Sequence, residues 1–230
     1  MKTEAIQINN KMVSVDLSQL IKADTIMFNA TQIAKQFDKR MDNYLRNDST
    51  EEYIQAIISR YAISRNELIS IKQGGKYQGT WLHNLLAIDF ARWCSPSFAV
   101  QLDEWIMNKL EEEKQRKQLR TLSRLEYPDL TNAIQEFLVT GNDSDKWLYS
   151  NEADLINKIV LGYKAKQYCE LNNIDRVCLR DNLAPSQLRL LNDLQKFDTS
   201  MIQLCFSYEE RKERLQIRYT QLVTKYLEMK

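Results

Sequence analysis

Lys72, Gln73, Lys76 and Gln78 fall in one short run, separated only by Gly74, Gly75 and Tyr77. Two ammonium groups and two primary amides at that density present donors and positive charge rather than apolar surface, which suits a polyanion. A second set repeats the chemistry: Lys39, Arg40, Asn43, Arg46 and Asn47. The cations of both sets are suited to neutralising phosphates. The amides donate and accept together, as reading adenine or bridging to a phosphate requires.

Each set needs an element to hold it. Around the first, LISIK and GTWLH suit strands, and three of the chain's five glycines lie between and beside them, so Leu68 to His83 reads as a hairpin with the polar run at its tip. Gly74 and Gly75 let backbone approach a ligand closely without a side-chain clash. For the second set, TIMFNATQIAKQF gives a short apolar strand, then a helix of about residues 30 to 37 capped by Asn29, with Ile33, Ala34 and Phe37 inward. DKRMDNYLRND continues as a tight connection and a short helix. Met41, Tyr44 and Leu45 face the core there, and Arg40, Asn43, Arg46 and Asn47 face outward. Two such helices across a sharp turn have the layout of a helix-turn-helix, although an amphipathic helix with a solvated face has the same pattern.

The flanking segments complete a scaffold. Asn9-Asn10 sits between two alternating runs and tolerates the backbone of a tight turn, so a hairpin or two short strands is expected there. Ser49 to Glu52 has the capping-box pattern and predicts the start of a helix with Tyr53, Ile54, Ile57, Ile58 and Tyr61 inward. Asn84 is placed to cap LLAIDFARWC. Ser95-Pro96 opens a longer helix whose stripe is Phe98, Leu102, Trp105, Ile106 and Leu110 and which runs out through the charged segment 111–120. A domain boundary falls in that segment, giving domains of 1–118 and 119–230. Beyond it the chain reads as helical, with a polar turn at 141–145 and a final helix from about Tyr208. There Leu215, Tyr219, Leu222 and Tyr226 take heptad-like spacing, either as a core stripe or as a homodimer seam.

Bulk properties narrow the function classes. The 230 residues are 43% hydrophobic and 27% charged with five Gly and three Pro, a globular and helix-rich composition. Net charge is +1, so any basic surface must come from local segregation. Lys and Arg number 13 against 12 acids over residues 1–110 and 19 against 19 afterwards, but four against two from Lys35 to Arg46 and three against one from Arg65 to Gly79. No segment has the length and apolarity of a membrane span, and the N-terminus lacks an apolar leader core, so a cytoplasmic protein is expected. Cys94, Cys169, Cys178 and Cys205 lack metal-site spacing. The single histidine, His83, beside Trp81 and Asn84, suits a hydrogen-bonded structural role. Phosphate-loop and nucleophile-elbow motifs are absent, and no cofactor, metal or enzymatic activity is expected.

Three stretches, FNATQIAKQFDKRMDNYLRND, GGKYQGTWLH and LLAIDFARWCSPSFAVQLDEWI, resemble in content and order the KilA-N domain, a module of bacterial, phage and large DNA virus proteins related to the fungal APSES domains. The resemblance covers about residues 20 to 110. It implies an α+β, winged helix-turn-helix-like N-terminal domain that binds double-stranded DNA through the helix around Arg40 to Asn47 and the wing from Lys72 to Gln78. Trp81, Trp93, Phe98 and Trp105 then take core positions. An all-α C-terminal domain follows, for oligomerisation or partner binding. This chain departs from the pattern in a shorter wing tip than the fungal domains have, and in Asn84, where the family often has proline. The expected function is a phage or mobile-element type transcriptional regulator. Two other readings stand beside it: an antirepressor whose main ligand is a protein, and a nuclease with a C-terminal active site, the latter disfavoured by the lack of a clustered acid and lysine signature.

Overall fold

The computed structural model describes residues 3–141, 145 and 147–228. The chain divides into two compact units, Met1–Glu113 and Lys114–Lys230. The first is an α+β unit built on five antiparallel strands: β1 (Thr3–Ile8), β2 (Lys11–Asp16), β3 (Met27–Asn29), β4 (Ile69–Lys72) and β5 (Gly79–His83), in the order β1-β2-β3-β5-β4. The β1–β2 turn is the expected one. Ile8 pairs with Lys11, and Asn9 and Asn10 take φ of 47° and 59°, the left-handed pair that matches the twist of a two-residue hairpin.

Helices α1 (Leu20–Ala23), α2 (Ala30–Lys35), α3 (Met41–Leu45), α4 (Asp48–Tyr61), α5 (Arg65–Leu68) and α6 (Asn84–Cys94) complete the unit together with the start of α7 (Pro96–Phe137). The short β3 pairs with only Val15 and Asp16 of β2. The rest of that edge is satisfied from α2: Gln32 Oε1 accepts from Ser14 N at 2.8 Å, and Gln36 accepts from Met12 N and donates to Met12 O. Two glutamines one helical turn apart thus act as a surrogate strand. Val13, Val15, Phe28, Ile33, Leu82, Phe90, Phe98 and Leu102 close the core with no exposed surface, and Trp105 and Leu110 pack at its margin as the stripe predicts.

Three helix starts differ from expectation. Helix α4 begins at Asp48 behind an extended Asn47, so Ser49 lies inside it and cannot cap; Tyr53 and Tyr61 are turned to solvent while Thr50 is buried. The reciprocal capping box forms instead at Ser64–Glu67, opening α5. Helix α6 is capped by His83, whose Nδ1 accepts from Leu85 N at 3.2 Å. Asn84 is buried and accepts from Ile26 N, tying the residue before β3 to the start of α6. Because Thr25 donates its hydroxyl proton to Ala23 O, its oxygen is left to accept from His83 Nε2 at 3.2 Å, which fixes a neutral imidazole with the proton on Nε2. Burial pushes the His83 pKa down, as that arrangement requires.

Helix α7 runs without interruption through the charged segment 111–120 and through Pro128. Among the described residues, the elements of the second unit beyond α7 are α8 (Leu148–Leu161), α9 (Ala165–Asn172), a 3₁₀ helix (Arg176–Asp181), α10 (Pro185–Gln203) and α11 (Tyr208–Glu228). The predicted polar turn 141–145 lies mostly outside the described residues; at its edges Thr140 N and Gly141 N donate to Asp145. The heptad-like stripe is a core stripe. Leu215 and Leu222 are buried and Tyr219 and Tyr226 pack on the same cluster as Leu188, Leu191 and Leu194, so these side chains are spent within the chain rather than offered as a dimer seam. Three helices are tied by a buried ionic group in which Arg211 donates to both oxygens of Glu152 and to Asp198 Oδ1, each at 2.7 Å. Among the described residues no helix is long and apolar enough to cross a membrane.

Candidate nucleic-acid interface

The hairpin predicted at Leu68 to His83 is the β4–β5 pair, with Lys72 opposite Gly79 and residues 73 to 78 forming its tip. Gln73, Gly74, Gly75, Lys76 and Gln78 are exposed and Tyr77 is half-buried. Gly74 and Gly75 take φ of 73° and 76°, with nothing within 4 Å of where a Cβ would sit, so the tip needs them for backbone conformation.

The base of this hairpin is locked to the N-terminus of α2. Asn29 Oδ1 caps the helix by accepting from Gln32 N at 3.0 Å, while its Nδ2 donates to Gln78 O at 3.3 Å. Thr31 Oγ1 accepts from Thr80 N at 2.9 Å. Gly79, at φ 131°, brings its backbone so close that an added Cβ would lie 2.9 Å from Thr31 Cβ and 3.1 Å from Asn29 Oδ1. Trp81 is fully buried and donates from Nε1 to Tyr77 O at 3.0 Å, tying the tip to the core.

The other end of α2 leads into α3. Only Asn43 of the expected outward set lies within that helix: Arg40 is its extended N-cap, Arg46 its C-cap, and Asn47 the N-cap of α4. All four are exposed. Their frame is held by Tyr44, which is buried against Phe90 and Trp93 and donates to Asp89 Oδ2 at 2.8 Å. The two polar sets are thus tied to opposite ends of one helix.

The five candidate phosphate cations are not equivalent. Lys72 lies 3.8 Å from the centroid of the Trp81 ring and 3.1 Å from Asp16 Oδ2, with its side chain about one quarter exposed. Burial pushes the Asp16 carboxyl up, but the Ser18 amide and side chain and the Lys72 ammonium outweigh it and hold the pKa below the usual range. Lys39 lies 4.6 Å from the Trp93 ring centroid and donates to Trp93 O. Both lysines therefore cap core tryptophans. Arg40 is exposed but pairs with Asp42 at 3.1 Å. Arg46 and Lys76 are exposed and make no ion pair among the described residues.

Residues 13–112 match the KilA-N domain model. The chain carries a KilA-N domain. Two KilA-N domain-containing proteins of Acanthamoeba polyphaga mimivirus are each 30% identical to it, one over 95 residues, covering 40% of this chain and 21% of that protein, and one over 89 residues, covering 34% and 25%. The chain therefore spans about a quarter or less of the curated relatives it matches. Both polar sets, α2 between them and the two lysine-capped tryptophans lie inside the KilA-N match, whereas β1 precedes it.

Asn29, Thr31 and Gly79 hold this candidate interface together, yet residue type and local spacing do not single them out as parts of it. Asn29 was legible as a cap, but its second bond goes to a residue 49 positions away. The signal present in the sequence was Gly79 itself, a glycine at the start of a strand rather than at the tip.

Proposed function

We propose that this protein is a DNA-binding regulator whose KilA-N domain binds duplex DNA as a winged helix-turn-helix, with α2 and α3 as the helix pair and β4–β5 as the wing. The observation that carries the proposal is the wing itself: a base fixed by Asn29, Thr31 and Gly79 beneath an exposed tip bearing Gln73, Lys76 and Gln78. A hairpin mounted on a fixed base presents its donors and cation to a phosphate backbone at a lower loop-ordering cost than a mobile loop would. Arg46 and Lys76 supply the phosphate charge in this reading, joined by Arg40 once it exchanges Asp42 for phosphate. Asn43 and Asn47 supply amides that α3 and its C-terminal junction present together. Lys39 and Lys72 serve as cation–π caps on the core and act on DNA only indirectly. The second unit takes a partner-binding role, and the protein works by binding rather than by catalysis.

Mobility-shift titrations across salt concentrations, on duplexes selected from a random pool by the full chain, test this reading. Lys76→Ala should reduce the magnitude of the slope of log affinity against log salt by about one. Gln78→Ala and Asn43→Ala should leave the slope near its original value and change the order of preference among selected sequences. Unchanged slope and unchanged preference in all three variants would refute the assigned face.

A further inference from the structure

At the opposite end of β5 from the wing, the first unit holds a cavity of about 730 Å³ between the α1–β3 connection, the α4–α5 junction and the β5–α6 junction. Its apolar lining includes Met27, Ile63 and Leu85, and Tyr61 is 56% exposed there. The polar part of the wall is already fixed, since His83, Thr25 and Ala23 form one hydrogen-bonded chain and Asn84 is bonded to Ile26. The cavity is therefore preformed and has the volume of small-ligand sites.

Charge selects the occupant. Among the described residues the lining carries two carboxylates, Asp24 and Glu67, and no lysine or arginine. Glu67 is held ionised: the Ser64 amide and hydroxyl both donate to its Oε2 at 2.7 Å and keep its pKa below the ordinary carboxylate range. We propose that this cavity binds an organic cation with an apolar body, such as an arylalkylamine or an aromatic side chain followed by arginine. The apolar part packs on Met27, Ile63 and Leu85, and the cation sits against Glu67. His83 is four residues from Gly79 along β5, roughly 13 Å away, so the occupant leaves the wing uncovered. The site is independent of the DNA-binding proposal.

His83 is the only histidine, so in the full chain prepared without a histidine tag its ring protons report on the cavity without further assignment. Titration with phenethylamine and with N-acetyl-Phe-Arg-amide should shift the His83 ring resonances saturably, and 3-phenylpropionate and N-acetyl-Phe-Glu-amide should bind more weakly. Glu67→Gln, which keeps a capping side chain, should weaken the cations by about three- to fivefold and the anions not at all. Ala23→Trp, an exposed change at the rim, should abolish both shifts. Tighter binding of the dipeptide supports a partner protein as the source, and tighter binding of the amine supports a free metabolite. Equal binding of anions and cations, no saturable shift with any probe, or shifts that survive Ala23→Trp would overturn the proposal.

Discussion

Replacing Gly79 by alanine should separate the base of the wing from its tip. At φ 131° the residue occupies backbone space that side-chain-bearing residues rarely adopt, and the new methyl carbon would meet Thr31 Cβ at 2.9 Å and Thr31 Oγ1 at 3.0 Å. Backbone strain of this kind costs about 1–3 kcal/mol, and overpacking against an element that cannot retreat costs a similar amount. Thr31 has little room to retreat, because its hydroxyl holds Thr80 N and its helix is capped by Asn29. A total of about 3 kcal/mol would lower the melting temperature of a unit this size by roughly 12–24 °C. Gly74→Ala and Gly75→Ala meet nothing within 4 Å and should cost only the left-handed backbone term, about 1–2 kcal/mol each. The assay is urea unfolding followed by tryptophan fluorescence, since Trp81, Trp93 and Trp105 all lie in the first unit. If Gly79→Ala proves no more costly than Gly75→Ala, the locked base is wrong.

Acid should destabilise the first unit through His83. Its folded pKa is depressed below the ordinary 6.5, so stability present above that value declines as pH falls below it and levels off under the folded pKa. His83→Asn, which keeps a capping acceptor, should flatten this dependence in unfolding curves at pH 7.5 and 5.5. The second unit should respond with opposite sign. Burial lifts the Asp198 carboxyl to about 6 against the pull of Arg211, so its stabilising contribution is complete below 3.8 and is lost as pH rises through about 6; Asp198→Asn should remove that trend. Arg211→Met, which leaves Glu152 and Asp198 buried without their cation, should cost about 3–5 kcal/mol, and Glu152→Leu and Asp198→Leu added together should recover most of it in calorimetry. Lys72→Ala should lower stability by about 1–2 kcal/mol through the lost Asp16 and Trp81 contacts, yet leave the salt slope of DNA binding unchanged.

Much of the first unit is legible from local spacing alone. The Asn9-Asn10 turn, the Asn29 cap, the Ser95-Pro96 start and the Phe98 to Leu110 stripe depend on residues within a few positions of one another, and each appears where its pattern places it. Capping patterns show where this ends. Within the first unit Ser-x-x-Glu occurs at 49–52 and at 64–67, but only the second is used, because α4 has already begun at Asp48 by the time the first is reached. Nothing in either tetrapeptide distinguishes them.

Residue type and spacing by themselves picked out two short, polar, cation-bearing segments, and they carried enough of a family pattern to place a KilA-N domain; that the two segments lie at opposite ends of α2 was decided by long-range contacts. What each cation does was decided only by tertiary structure. Lys72 and Lys76 look alike in the sequence, yet Lys72 sits over Trp81 beside Asp16 while Lys76 stands exposed at the tip. Asp16 is 56 residues from Lys72 along the chain. A lysine near such a carboxylate and an indole face is drawn onto them, and one without them stays in water for a ligand to find.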